Sequence, residues 1–194
     1  MDKLFIVIPA YNEETNIRRT IDEWYPIVEK YNGDGQSRLV IINDGSKDNT
    51  YQILCDCAKT RPLLTPLTKP NGGHGPTLLY GYDYAIKNGA DFIFQTDSDG
   101  QTNPEEFHQF WAARNSYDAV IGQRSVRGDG KSRKFVENIV CFLLRMIFGI
   151  RVSDANAPFR LMKANQTAEF IKKMPADFNL PNIMLTTYFV YYKK

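Results

Sequence analysis

Cysteine and histidine are scarce in this chain of 194 residues, which contains three cysteines and two histidines. Cys55, Cys57 and Cys141 form neither an even set for a disulfide framework nor a pattern with metal-site spacing. We therefore expect a reducing, cytoplasmic compartment. The chain leads directly into the apolar run 4–8, without the charged and apolar regions of a signal peptide.

Long apolar runs and an excess of one charge are lacking as well. A helix that spans a bilayer needs about 20 apolar residues, whereas the nearest stretch, 139–150, is shorter and includes Arg145. Lysine and arginine total 24 against 22 acidic residues, a formal charge of +2. This balance argues against a nucleic-acid partner. The end of the chain, 189–194, is typical of a strand without a closing turn, so we expect a C-terminal truncation.

Strand-like and helix-like segments alternate along the first two-thirds of the chain. Short apolar runs predict buried strands at 4–8, 39–42, 92–95 and 119–121. Helical patterns are found at 13–30, from 48, at 76–87 and from 104. Ser46 is predicted to cap the second helix. Apolar strands joined by helical crossovers indicate an α/β fold, with a mostly parallel sheet and helices on both faces.

Polar clusters follow the predicted strands at the points where the strands end. Ligands of such sheets bind outside the carboxyl ends of the strands, so these clusters should form one site. Asp97 and Asp99 could hold a hard divalent cation, Mg²⁺ or Mn²⁺, and Gln101 could add a neutral ligand. A solvated turn is the alternative. The position directly after a buried strand favours the metal site.

Two further segments could contact a nucleotide. Asp44 ends the second predicted strand and could accept a hydrogen bond from a base N–H or a ribose hydroxyl. The segment 43–46 also suits a simple turn. The glycine-rich stretch 71–75 precedes a helix and could hold an anion through its amides, but a flexible connector is about equally compatible. His74 could contact the ligand or lie on the surface.

Basic residues are concentrated between 123 and 134. They are Arg124, Arg127, Lys131, Arg133 and Lys134, against the single acid Asp129. Arg124 directly follows a predicted strand and is best placed to bind a pyrophosphate or a lipid phosphate. The next segment, 135–150, has apolar residues at helical spacing. Core packing is the default interpretation of this apolar face, and a helix in a membrane interface is the second.

Together these segments resemble family 2 glycosyltransferases of the GT-A fold. The matching motifs lie at 9–14, 43–48, 71–75 and 97–101 and cover roughly the first 125 residues. Gln101 and the segments 122–124 and 154–160 are most similar to the polyprenyl-phosphate branch, which includes dolichyl-phosphate mannose synthase. The resemblance implies a single GT-A catalytic domain over 1–194. Residues 1–125 would bind the nucleotide-sugar, and 126–194 would face the acceptor.

The resemblance also implies roles for individual residues. The residues implied to bind the nucleotide-sugar are Pro9, Ala10, Tyr11, Asn12, Glu13, Asp44, Gly45, Ser46, Gly73, His74, Asp97 and Ser98. Those implied to bind the metal are Asp97, Asp99 and Gln101. The catalytic set comprises Asp97, Asp99, Arg124 and Asp154, with Arg124 on the donor phosphates.

The implied reaction is an inverting, metal-dependent transfer from a UDP- or GDP-sugar. A lipid phosphate needs no general base, because its second pKa of about 6 leaves it largely anionic. Acidic candidates after Arg124 are few: Asp154 is the best, and Asn182 cannot act as a base. We therefore predict a polyprenyl-phosphate acceptor, with the enzyme peripheral at the inner face of the membrane. The alternatives are transfer to a saccharide hydroxyl in cell-surface polysaccharide synthesis, with Asp154 as base, and a non-catalytic nucleotide-sugar-binding module.

Overall fold

The structure is a computed structural model and describes residues 2–33, 35–100, 102–123 and 130–192. The strands found in this part of the chain are β1 (Leu4–Ala10), β2 (Arg38–Asn43), β3 (Leu64–Thr68), β4 (Phe92–Gln95), β5 (Ala119–Ile121) and β6 (Arg160–Lys163). The helices are α1 (Ile17–Lys30), α2 (Thr50–Ala58), α3 (His74–Lys87), α4 (Phe107–Ala113), α5 (Gly130–Phe148), α6 (Ala164–Ile171) and α7 (Pro181–Tyr191). A 3₁₀ turn, Pro104–Glu106, precedes α4.

The strands form one sheet in the order β3-β2-β1-β4-β6-β5. β1 pairs in parallel with β2 and β4, and β2 pairs in parallel with β3, whereas β6 runs antiparallel to both β4 and β5. The predicted α/β fold with a mostly parallel sheet is therefore confirmed. The parallel strands β1, β2 and β4 bring their carboxyl ends to the same edge, which is where ligands bind in sheets of this kind.

Two apolar cores cover the two faces of the sheet. On one face α1, α2 and α4 pack around Trp24 and Phe94, whose ring centroids are 5.4 Å apart. On the other face α3, α6 and α7 pack through residues such as Tyr82, Phe170 and Phe189. All seven residues of β1 are buried, because helices cover both faces of this central strand.

Two strands escape sequence-based prediction. β3 contains Pro66, which cannot donate to a ladder, yet the strand lies at the edge of the sheet, where proline is tolerated. β6 has only four residues and begins with a buried arginine, Arg160. A charged residue in so short a strand gives no apolar run to detect.

Two predicted local features are wrong. Ser46 does not cap α2, because the N-cap of this helix is Asn49. Ser46 Oγ instead accepts a hydrogen bond from the Asn12 amide. The strand-like end of the chain is helical, since α7 runs to Tyr191. Aromatic and β-branched residues favour strands, but Pro181 lies in the first turn of this helix, and Leu185, Thr186 and Phe189 are buried at helical spacing.

Most of the large apolar residues on helix α5 are exposed. Among the side chains of α5 that the structure describes, Leu144 is buried in a cluster with Ile150 and Ala155, and Val140 and Cys141 pack against this cluster. The exposed large apolar residues of this helix are Phe135, Val136, Ile139, Phe142, Leu143, Met146, Ile147 and Phe148. Core packing, the default interpretation of this face, is therefore wrong for these positions. Within the described ranges, no helix has the length and apolarity that a bilayer span requires.

The position of α3 on the sheet depends on Gly81. A Cβ at this position would lie 2.5 Å from Val7 Cγ1 and 2.8 Å from Ile42 Cδ1. We expect Gly81→Ala to destabilise the fold by about 1–3 kcal/mol, because overpacking outweighs the better helix propensity of alanine. Urea denaturation measures this. Lys87→Ala, on the exposed end of the same helix, is the control and should change the free energy of unfolding by less than about 0.5 kcal/mol. An unchanged midpoint for Gly81→Ala would show that α3 can move outward freely.

Candidate functional site

A pocket of about 450 Å³ lies at the carboxyl ends of β1, β2 and β4. It is lined by Pro9, Ala10, Tyr11, Glu13, Asp44, Asn71, Gly73, His74, Thr77, Asp97, Ser98 and Asp99. All of these except Asn71 and Thr77 are residues that the sequence analysis names. The parallel register explains the convergence, since Ala10 is level with Asn43 and Val7 with Gln95.

Three of the named residues lie behind the pocket and join its walls. The Asn12 amide donates to Ser46 Oγ at 2.9 Å, and the Lys47 amide donates to Asn12 Oδ1 at 2.9 Å. Asn12 adopts a left-handed backbone with φ of 55°, which asparagine tolerates better than most residues. Gly45 also has a positive φ of 66°, and a Cβ there would lie 2.6 Å from the Asn71 amide nitrogen. These contacts hold the end of β1 against the end of β2.

Two other named residues cannot be placed. Gln101, the third metal ligand of the prediction, and Arg124, the predicted phosphate ligand, lie outside the described residues. Their roles stay predictions from the sequence.

Asp44 is buried beneath the glycine-rich loop and organises it. The amide of Gly72 donates to Oδ1 and that of Gly73 to Oδ2, each at 2.9 Å. Lys69 Nζ forms an ion pair with Oδ1. The Asn71 side chain donates to the Asp44 backbone carbonyl at 2.9 Å. The glycine-rich stretch is therefore held by a carboxylate of the protein itself.

The partners of Asp44 fix its charge. Burial raises the pKa of this carboxyl, but hydrogen bonds from Lys69 and the Gly72 amide, with the charge of Lys69, outweigh burial and lower the pKa below its usual range. A lowered pKa means that the ionised form stabilises the fold above the unfolded-state pKa, and that this contribution is lost as the pH falls below about 4. Asp44 is thus an anion at neutral pH. Lys69 is a site residue that the sequence analysis missed.

The turn that carries Asp97, Ser98 and Asp99 is supported by α1. Thr20 Oγ1 donates to the Ser98 carbonyl at 2.9 Å. Gly100 has a φ of 70°, and the Arg19 guanidinium occupies the space where a Cβ would be. Both contacts join residues about 80 positions apart. No local sequence signal could have revealed them.

The two acids of this turn suit a hard cation. Both Asp97 and Asp99 line the pocket, Asp97 half-buried and Asp99 exposed. Two carboxylates from one turn provide the oxygen ligands that Mg²⁺ and Mn²⁺ prefer, with positions left for phosphate oxygens and water. Within the described part of the chain, no group of three or more His, Cys, Asp and Glu side chains forms a cage. The donor set therefore fits a cation that is completed by its ligand.

A buried polar cluster lies behind the pocket between β4, β6, α3 and α7. Arg160 is fully buried and donates to the carbonyls of Ala157 and Asn182, at 2.9 and 3.0 Å. Gln95 lies opposite Arg160 in the sheet and accepts a hydrogen bond of 2.5 Å from the Tyr82 hydroxyl. Neither Arg160 nor Tyr82 is among the predicted site residues.

Arg160 is the charged centre of this cluster. Burial lowers its pKa to about 10, while the neighbouring Tyr82, Asp154 and Asp97 favour its charged form. The guanidinium is therefore an electrostatic neighbour of an acid from each half of the site. Asp154, the base of the saccharide alternative and a member of the predicted catalytic set, is itself buried, and it is not among the described residues that line the pocket.

We expect Arg160→Met to lower the free energy of unfolding by about 3 kcal/mol or more. The substitution leaves two buried carbonyls without their donor and the nearby acids without their cation. Lys163→Met is a matched control on the same strand, because the Lys163–Asp118 pair is partly exposed and should contribute less than about 1 kcal/mol. Urea denaturation measures both. Equal, small effects would show that the cluster tolerates the loss of its charge.

Comparison with known proteins agrees with this geometry. An uncharacterized glycosyltransferase of Synechocystis is 30% identical to this chain over 182 residues, which cover 89% of this chain and 54% of the relative. A dolichyl-phosphate beta-glucosyltransferase of Trichomonas vaginalis is 32% identical over 172 residues, 80% of this chain and 50% of the relative. An undecaprenyl-phosphate mannosyltransferase of Micrococcus luteus is 26% identical over 170 residues, 84% of this chain and 67% of the relative. The chain thus spans about half the length of the first two.

A solved structure and a family model define the fold and the family. Glucosyl-3-phosphoglycerate synthase of Mycobacterium tuberculosis, solved with Mn²⁺, UDP-glucose and glycerol 3-phosphate, superposes with a TM-score of 0.64 at 19% identity, over 86% of this chain and 58% of that chain. This likeness shows the fold. The model named Glycosyl transferase family 2 matches residues 5–180. The chain therefore belongs to glycosyl transferase family 2 and has the GT-A fold, with its relatives in the polyprenyl-phosphate branch that the motifs indicate.

Proposed function

We propose that this chain transfers a sugar from a nucleotide-sugar to a polyprenyl phosphate at a membrane surface. The pocket at the strand ends supports the donor part of the proposal. The exposed apolar face of α5 carries the acceptor part, and the relatives named for dolichyl phosphate and undecaprenyl phosphate support it. In this proposal residues 1–125 bind the donor and 126–194 face the acceptor.

The donor would bind across the strand ends. Asp44 and the end of β1, Pro9 to Glu13, would contact the nucleoside, while Gly73 and His74 lie at the amino terminus of α3, on another wall of the pocket. The turn with Asp97 would receive the diphosphate. Arg124 would bind the donor phosphates in a bidentate manner. Two solved structures of similar fold, one with UDP and one with UDP-glucose and Mn²⁺, support a donor of this class.

Asp97 and Asp99 would hold Mg²⁺ or Mn²⁺, with Gln101 as a third ligand. A bound cation neutralises charge that develops on the leaving diphosphate. The residues of the pocket would orient the donor around this turn. The loop on Asp44 fixes the opposite end of the donor.

The proposed transfer inverts the anomeric centre. An oxygen of the acceptor phosphate forms a bond to the anomeric carbon from the face opposite the leaving group. The bond from that carbon to the diphosphate breaks, and the nucleoside diphosphate leaves with the electron pair. No proton has to be removed, because the acceptor phosphate is largely anionic at neutral pH. The reaction therefore requires no general base.

The apolar face of α5 is the observation that carries the acceptor assignment. Phe142, Met146 and Ile147 are 59%, 68% and 68% exposed, and such a contiguous apolar surface marks an interaction site. The sequence places Lys131, Arg133 and Lys134 at the start of the same helix. An apolar helix face in a segment whose sequence begins with basic residues suits an anionic membrane surface.

The burial of Asp154 weighs against the saccharide alternative. A general base has to reach the hydroxyl that it deprotonates, whereas Asp154 is 5% exposed and has Arg160 as a neighbour. A phosphate acceptor does not need this carboxylate as a base. A non-catalytic nucleotide-sugar-binding module would bind the donor without transferring its sugar.

Transfer from a labelled nucleotide-sugar to undecaprenyl phosphate tests the proposal. We expect product that depends on Mg²⁺ or Mn²⁺. Asp154→Asn should bind the donor normally and retain turnover within about tenfold, because no proton is abstracted. A loss of 10²-fold or more with intact donor binding would instead identify Asp154 as a base and favour a saccharide hydroxyl. Donor binding without transfer or donor hydrolysis would favour the binding module.

Vesicle binding tests the role of α5. We expect Phe142→Glu with Met146→Glu to reduce co-sedimentation with phosphatidylglycerol vesicles by tenfold or more, because two charges would enter the apolar contact. Thermal stability should stay unchanged, since both side chains are exposed. Tyr117→Glu is the control: Tyr117 is 61% exposed and lies before β5, outside the sequence of α5. Equal vesicle binding by all three proteins would contradict the assignment.

A further inference from the structure

A second cleft, of about 460 Å³, lies between α3 and α6. Of the described residues that line it, none lines the pocket at the strand ends, here called the donor pocket. Most of its wall is apolar, with Leu79 and Ile86 on α3 and Ile171 on α6. Proteins hold small molecules in mostly apolar clefts of about 300–1,000 Å³. The cleft therefore has the size and the lining of a ligand site.

Lys172 is a cation of the cleft that a ligand can reach. It is the C-cap residue of α6, lines the cleft and is exposed. Within the described ranges its ammonium group has neither an ion pair nor a hydrogen bond. Asp83 also lines the cleft, but its carboxylate pairs with Lys87 at 2.6 Å. An apolar space beside such an ammonium group is complementary to a small amphiphile with an apolar body and an anionic group.

Lys69 connects the cleft to the donor pocket. Its side chain lines the cleft, while its Nζ pairs with Asp44, which lines the donor pocket. Nζ also donates to the Pro70 carbonyl at 2.9 Å and to Thr77 Oγ1 at 3.2 Å. These three contacts use the three hydrogens of the ammonium group. A ligand in the cleft would therefore pack against the methylene groups of the lysine that holds Asp44 and, through it, the glycine-rich loop.

The segment 174–179 is a second connection between the same two sites. Ala176 lines the cleft, and the backbone of Asn179 lies against Gly75 in the first turn of α3. A Cβ on Gly75 would lie 2.5 Å from the carbonyl oxygen of Asn179. Gly75 directly follows His74, which lines the donor pocket. Packing in the cleft is thus linked to the glycine-rich stretch by two routes.

We propose that this cleft is a second ligand site, which binds a small anionic amphiphile and thereby strengthens donor binding. The proposal goes beyond the transfer reaction, because the cleft and the donor pocket have different walls. Lys172 pairs with the anionic group, and the apolar wall buries the body of the ligand. Both ligands favour the arrangement in which Lys69 holds Asp44 and the loop, so each raises the affinity of the other.

Isothermal titration with decanoate, decanol and decyltrimethylammonium, each below its micelle concentration, tests the choice of ligand. We expect decanoate to bind at least about fivefold more tightly than decyltrimethylammonium, with decanol between them, because an exposed ion pair changes an affinity severalfold. Lys172→Glu should reverse this order. Equal affinities of the three probes, or the same order in the variant, would overturn the assignment.

Two variants of α6 test the location. Ala168 is half-buried and lines the cleft, so Ala168→Phe should fill the cleft and weaken decanoate binding tenfold or more. Glu169→Phe adds the same ring at the next position, which points to Lys173, and should leave the affinity within about twofold. Equal decanoate binding by both variants and the wild type would place the probe outside the cleft and overturn the proposal. If Ala168→Phe does not fold, the surface variant Lys172→Glu decides.

Titration of UDP at constant Mn²⁺, with and without saturating decanoate, tests the coupling. We expect decanoate to tighten UDP binding at least about threefold, and UDP to tighten decanoate binding by the same factor. Unchanged or weaker UDP binding would overturn the coupling. Tightening by phosphatidylglycerol vesicles but not by decanoate would identify a membrane lipid as the effector and overturn the free amphiphile. Failure of UDP to bind at all would contradict the proposed function, whereas the decanoate titrations would still decide the cleft.

Discussion

The ion pair between Asp44 and Lys69 is the contact on which the donor side of the site depends. A carboxylate buried at the end of a strand needs a cation and hydrogen-bond donors, because burial alone would raise its pKa and favour the protonated form. Lys69 and two loop amides meet this need. The same contacts close the glycine-rich loop over the carboxylate. The charge of Asp44 and the geometry of the loop therefore arise from one arrangement.

The part of the chain that we propose to face the acceptor contains a second buried charge, Arg160. Arg160 joins the segment that follows Asp154 to the start of α7 through the carbonyls of Ala157 and Asn182. Buried ions seldom add stability over apolar packing, so a guanidinium next to acids of both halves indicates a functional constraint.

The apolar pattern of helix α5 is compatible with packing in the protein core and with contact to a membrane surface. Apolar residues at helical spacing predict a helix with one apolar face, and α5 is such a helix. Whether the protein interior or another phase covers that face depends on how the helix is placed. Leu144 faces inward, whereas Phe142 and Met146 face outward. Their exposure connects the fold to the proposed acceptor, a lipid whose phosphate has to reach the pocket while its chain stays in a bilayer.

The sequence by itself determined the layered α/β fold, the strands β1, β2, β4 and β5, and most of the residues that line the pocket. It could do so because apolar periodicity and strand-end chemistry are local signals. The tertiary structure alone decided the helical state of 181–191, the outward face of α5 and the partners of Asp44. Lys69, Arg19 and Arg160 act across distant parts of the chain, through burial and hydrogen bonds that no short segment encodes. Where local propensities give two conformations nearly equal free energies, contacts between distant parts of the chain decide which one forms.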